Sequence, residues 1–150
     1  MLLSCFKHRF SLIGLSETWL KEGEGPLFQL PDYKFVTKCR NDRRGGGVGI
    51  YVKSDLHFHR RTDLEESICG TEVLCIEVHH RKMNQLVFVM YRPTGEPVNE
   101  FLKSIESSLN KVQTEKKNAL YLATSTLTYL IQVHPPKIFL ILYIHTPFVH

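Results

Sequence analysis

No acidic residue follows Glu115, and Lys137 is the only Lys or Arg after Lys117. The end of the chain therefore lacks the mixed charge of an ordinary protein surface. Cysteine pairing is missing too: Cys5, Cys39, Cys69 and Cys75 show no Cys-x-x-Cys spacing and no paired His at zinc-finger distance. Neither a zinc site nor a disulfide framework is indicated, and reduced thiols are expected. The apolar stretch Ile138–Ile144 falls far short of the roughly 20 residues that span a bilayer. At the start, Met1-Leu-Leu-Ser-Cys-Phe-Lys-His-Arg is too short in apolar residues for a signal peptide, and its charge follows them instead of preceding them. These features point to a soluble intracellular protein, nuclear or cytoplasmic, not secreted and with no membrane partner.

What is present is a β-rich pattern. Apolar runs of strand length recur at Phe10–Leu15, Tyr33–Val36, Val48–Val52, Val73–Val78 and Leu86–Tyr91, separated by Gly, Pro, Asn and Asp. Cys75-Ile-Glu-Val-His alternates in part, as a half-buried strand does, whereas Leu86–Met90 is continuously apolar and reads as a strand covered on both faces. After Pro93 the period changes. Val98, Phe101, Leu102, Ile105, Leu109 and Val112 fall at helical spacing, with Pro97 suited to the first turn. Asn118–Leu122 returns to a strand pattern, and this strand–helix–strand order favours an α/β sandwich over an all-β barrel. Gly45-Gly-Gly with Gly49 lacks the Gly-Lys-Ser/Thr ending of a phosphate loop and precedes a strand, so it reads as a tight turn.

A chain of 150 residues with Lys+Arg exceeding Asp+Glu by four fits one modest domain. Its basic residues gather at Lys38–Arg44, Arg60–Arg61 and Arg81–Lys82, a distribution compatible with a polyanion.

Three strings carry more specific information: Ser16-Glu-Thr-Trp-Leu20 at the end of the first apolar run, Arg43-Arg-Gly-Gly-Gly-Val-Gly-Ile-Tyr-Val52, and Leu86-Val-Phe-Val-Met-Tyr-Arg-Pro93. Together, over about Arg9 to Leu122, they resemble the endonuclease/exonuclease/phosphatase superfamily, specifically the apurinic-type endonuclease domain of non-LTR retrotransposons. The resemblance implies a truncated form of that α/β sandwich, which is DNase I-like. It also implies Mg²⁺-dependent nicking of target DNA for target-primed reverse transcription, with a reverse transcriptase downstream on the same polyprotein. By position, Glu17 would be the catalytic metal ligand and Tyr91 the catalytic donor to the scissile phosphate. Arg92, Arg43 and Arg44 are candidates for phosphate or DNA contact, and no other cofactor is implied. Trp19 reads as a packing anchor. His57, His59, His79 and His80 read as strand or loop residues, because the family's catalytic His follows Ser-Asp and no Ser-Asp-His occurs.

The departures from the family concern its catalytic groups. Its first strand, with an Asn that helps the metal, would precede Met1. Its Gly-Asp-Phe-Asn string is replaced by Ala123-Thr-Ser-Thr126. Codons for Ala123–Ile131 can be chosen so that a one-base shift reads Asp-Phe-Asn-Ile-Asp-Leu-Leu-Asn, and loss of one base from a Gly codon would convert Gly to Ala123. The expected organisation is thus a non-native or linker start over 1–8, a partial endonuclease domain over 9–122 and a frameshift-derived tail over 123–150. That tail is expected to lower solubility, since Ile138–Ile144 has high β-propensity and no charge. The chain as it stands is expected to be catalytically incomplete. Two alternatives remain: another phosphodiesterase or phosphatase of the superfamily, or a non-enzymatic basic nucleic-acid-binding remnant using Arg40, Arg43, Arg44 and Arg60.

Overall fold

Eight strands and one α-helix build two sheets in the computed structural model, which describes residues 10–42, 45–80, 83–124 and 128–133. The smaller sheet has the order β1-β3-β2, from Leu12–Ser16, Val48–Lys53 and Tyr33–Lys38, all antiparallel. The larger has the order β4-β5-β6-β7-β8, from His57–Arg60, Glu72–His80, Met83–Tyr91, Asn118–Thr124 and Thr128–Val133. Its one parallel pair, β6 and β7, is joined by α1, Val98–Glu115, as a parallel connection requires. The fold is therefore mixed α/β.

Two cores follow from strand periodicity, because successive side chains point to opposite faces. Leu74 and Ile76 of β5, Val87 and Val89 of β6, and Leu120 and Leu122 of β7 face the smaller sheet and pack with Leu12, Val48, Ile50 and Val52. The alternate residues Val73, Cys75, Leu86, Phe88, Met90, Ala119 and Tyr121 pack against Phe101, Ile105 and Val112 of α1. Phe88 and Tyr121 stack with ring centroids 4.7 Å apart. The continuous apolar character of Leu86–Met90 thus reflects burial on both faces, as the sequence pattern indicates. Gly14 lets the sheets approach: a Cβ there would lie 2.6 Å from Leu122 Cδ1.

Several sequence expectations need correction. The strand β5 is covered on both faces rather than half-buried, because Glu77 is itself buried in a network of polar partners. Its carboxylate accepts from Arg61 at 2.7 Å, Lys117 at 2.8 Å and Asn84 at 3.0 Å. Burial opposes its charge, but Lys117, Arg61 and Asn84 hold its carboxyl down at about 2. The short strand β4 has a single apolar residue, Phe58, and no apolar run announces it. His57 and His59 lie on β4 and His79 and His80 end β5, so all four are strand residues.

Pro97 is the residue before the helix rather than its first turn. Its ψ of 135° is extended, and its carbonyl accepts the Phe101 N–H at 3.3 Å. On α1, Val98 and Leu102 are exposed, and Ser104 and Ser108 take the sheet-facing positions instead. Their small side chains bring the helix close, and the Ser108 hydroxyl lies 3.3 Å from that of Tyr121 while donating to the Ile105 carbonyl at 2.7 Å.

The strand β7 runs to Thr124, two residues past Leu122, and β8 pairs with it antiparallel. No helix among the described residues is long and apolar enough to cross a membrane. The expectations about residues 1–8, Cys5, Arg81–Lys82, Thr126 and Ile138–Ile144 lie outside the described residues.

Candidate functional site at the strand ends

Strand β1 ends at Ser16, and the chain then leaves the sheet through two non-glycine residues in the left-handed region, Glu17 (φ 57°) and Trp19 (φ 56°). Such backbone is uncommon outside glycine and clusters where surrounding structure over-determines it. Here the surrounding structure is the glycine turn before β3. The N–H of Thr18 donates to the Gly47 carbonyl at 3.1 Å, and that of Trp19 to the Gly46 carbonyl at 2.8 Å. Gly45, Gly46 and Gly47 all have φ between 78° and 87°, and a Cβ on Gly47 would meet the Thr18 hydroxyl. The turn entering a strand is as the sequence indicates, but it also contributes a donor to the site.

That donor meets Glu17. The carboxylate accepts the Gly46 N–H at 3.1 Å and the Trp19 indole N–H at 2.7 Å on Oε2, while the Tyr91 hydroxyl donates to Oε1. Glu17 and Tyr91, singled out by separate sequence strings 74 residues apart, are therefore in direct contact. Tyr91 is the last residue of β6 and is buried, so the strand end fixes its ring while its hydroxyl reaches the corner. Trp19 does not behave as a buried packing anchor: it is 48% exposed, and its indole N–H orients Glu17 while its ring edge lies over Gly45.

No protein-family model matches the chain, and no curated protein matches it either.

A second carboxylate stands beside the first. Glu72 opens β5 directly opposite Tyr91 in the β5–β6 register. It pairs with the Arg40 guanidinium through Oε1 and accepts the Gly47 N–H at 2.7 Å on Oε2. Burial pushes its carboxyl above the usual range, and the Glu17 charge adds to this, against the opposing pull of Arg40 and the Gly47 N–H. Sequence reasoning passes over Glu72, because a glutamate heading a strand has no signature until the register sets it beside Tyr91.

Arg92 serves the loop that follows β6: its guanidinium donates to the Glu96 carbonyl at 2.5 Å, across the turn leading to α1. Arg43 and Arg44 lie outside the described residues. Of the other cations in the nucleic-acid-binding alternative, Arg40 is held by Glu72, and Arg60 makes two 2.8 Å bonds to Glu65. Lys38, whose ammonium burial disfavours, donates to the carbonyls of Glu65 and Val73 at 3.1 and 3.0 Å. These cations tie the two sheets together and neutralise internal carboxylates instead of forming a free basic face.

Magnesium takes near-octahedral oxygen ligation, usually one or two carboxylates with several waters. Glu17 already accepts from three donors, and Glu72 is committed to Arg40 and the Gly47 N–H. Among the described residues no set of three or more His, Cys, Asp or Glu side chains is arranged to hold a metal. The side chains described do not by themselves fit the ion. Their chemistry is that of a fixed carboxylate hydrogen-bonded to a phenol donor.

Proposed function

We propose that the chain is a catalytically incomplete form of an endonuclease/exonuclease/phosphatase-type sandwich, of the kind non-LTR retrotransposons use to nick DNA. The observation that carries this reading is the contact of Glu17 with Tyr91. Two strings chosen for different roles, one for metal and one for phosphate, converge on a single corner. The two stacked sheets and the β6–α1–β7 crossover are in keeping with the DNase I-like architecture.

Incompleteness follows from the same corner. Phosphodiester hydrolysis needs a positioned nucleophile and groups that neutralise developing charge. Ala123-Thr-Ser-Thr126 replaces the Gly-Asp-Phe-Asn string. Residues that act as a unit lose most of their effect when one member is removed. Tyr91 donates to Glu17, which occupies the hydroxyl intended for phosphate.

The test is relaxation of supercoiled plasmid by the purified chain with Mg²⁺, alongside Glu17→Ala. Both proteins should give open circles at the rate of Mg²⁺ buffer alone. Nicking by the unsubstituted chain that disappears in Glu17→Ala would overturn the reading of incompleteness. The origin is tested separately, by sequencing the transcript across Leu122–Ala123. One added base should restore Gly-Asp-Phe-Asn, and codons that cannot be so arranged would contradict the frameshift.

A further inference from the structure

The turn Gly45–Gly47 lies between two carboxylates and gives each of them one N–H. Gly46 donates to Glu17 at 3.1 Å, and the next residue, Gly47, donates to Glu72 at 2.7 Å. Neighbouring peptides that share a rigid turn cannot reorient independently, so whatever fixes the Gly47 N–H also aims the Gly46 N–H. Glu72 is well fixed. Its side chain is 12% exposed, the Arg40 side chain paired with it is 9% exposed, and its backbone is held in β5 opposite Tyr91. A Cβ on Gly46 would fall on the Glu72 carboxylate and the Arg40 guanidinium, so the turn is in van der Waals contact with this ion pair.

We infer that Glu72 is a positioning residue for the Glu17–Tyr91 corner: with Arg40 it clamps the glycine turn so that the Gly46 N–H meets the Glu17 carboxylate. The arrangement is a relay from one carboxylate to the other through two consecutive peptides. Burying an ion pair is costly unless its remaining atoms are hydrogen-bonded. Here the Gly47 N–H supplies such a bond and thereby couples the pair to the turn. Gly46 is consequently restricted twice, by φ of 78° and by the lack of room for a side chain. The inference deepens the proposed function by adding a residue to the same corner, and it rests on that reading only for the use to which the corner is put.

Amide hydrogen exchange on the ¹⁵N-labelled full chain tests it without any cleavage reaction, so its failure and that of the nuclease reading are told apart. The variants are Glu72→Ala and, as a control at a distant buried carboxylate, Glu77→Gln. Glu72→Ala should lower protection of both Gly47, which loses its acceptor, and Gly46, which keeps Glu17, the latter by about tenfold, the scale of a lost bond to a charged group. Glu77→Gln should leave the Gly46:Gly47 pattern as it is in the unsubstituted chain. Loss confined to Gly47, with Gly46 unchanged, would overturn the inference. Should Glu72→Ala not fold, Gly46→Ala decides. It keeps every charge but displaces the turn, and it should move the Trp19 indole N–H resonance and shift emission of this single tryptophan to longer wavelength. An unchanged Trp19 signal in a folded Gly46→Ala protein would overturn the inference equally.

Discussion

Glu77→Gln gives the sharpest test of the buried network at the far end of β5. The carboxylate is 3% exposed and is held between Arg61, Lys117 and Asn84. Its folded value of about 2, against 4.5 for the free group, means the folded state prefers it ionised. Such a depressed carboxyl contributes stability that is fully present above its unfolded value and is lost as pH falls through the folded one. The displacement corresponds to at most roughly 3 kcal/mol, and screening by water at the rim of the network brings it to about 1–2 kcal/mol. Asp63 and Glu115 are also held low, each mainly by hydrogen bonds to Arg61, but both remain in either protein and largely cancel in the difference. Urea unfolding followed by far-UV circular dichroism should therefore show the variant less stable by about 1–2 kcal/mol at neutral pH. The gap should narrow below about pH 4.5 and close near pH 2. A gap that does not change with pH, or none at neutral pH, would refute the assignment of Glu77 as a charged, compensated core residue.

Other consequences follow from packing and burial. Gly14→Ala should cost about 1–3 kcal/mol in urea unfolding, because the new methyl collides with Leu122 between the sheets; a neutral substitution would contradict the close approach. Phe88→Ala should cost about 3–5 kcal/mol, since Phe88 is fully buried and stacked on Tyr121. Cys75 is buried in the helix-facing core and its thiol is pushed up, chiefly by burial, so it should resist alkylation at mildly alkaline pH until the chain unfolds. The exposed Cys69 should react before Cys75, although its contact with Glu100 raises its thiol as well. Mass spectrometry of partially alkylated protein distinguishes the two, and equal rates would contradict the burial of Cys75.

The elements that could be read from the sequence are those whose burial is written in apolar residues. The runs around Leu12, Ile50, Ile76, Val87 and Leu120 all became strands, and the helical spacing of Phe101, Ile105 and Val112 marks the face of α1 that meets the sheet. What was not legible depends on compensation across the chain. Glu77 resembles a solvent-facing residue until Lys117, forty positions later, and Arg61 are folded onto it. His57–Arg60 forms a strand because β5 offers it an edge, not because its own residues favour one. At the site, Glu17 and Tyr91 were visible through their surrounding strings. Glu72 was not visible as a site residue and Arg40 only as a nucleic-acid-binding cation, since their place at this corner depends on strand register and on the absence of a side chain at Gly46. Trp19, the kind of residue that ordinarily fills a core, is held half in the open by a left-handed backbone and a bond to Glu17.

The candidate site exists only if Glu17 and Tyr91 meet, and a double-mutant cycle measures that contact most directly. Urea unfolding of the unsubstituted chain, Glu17→Gln, Tyr91→Phe and the double variant gives the coupling between the two side chains. A hydrogen bond to an ionised carboxylate predicts coupling of about 1–3 kcal/mol at neutral pH. Additivity within about 0.3 kcal/mol would mean that the two residues do not share a bond, and the corner on which the functional reading rests would not exist.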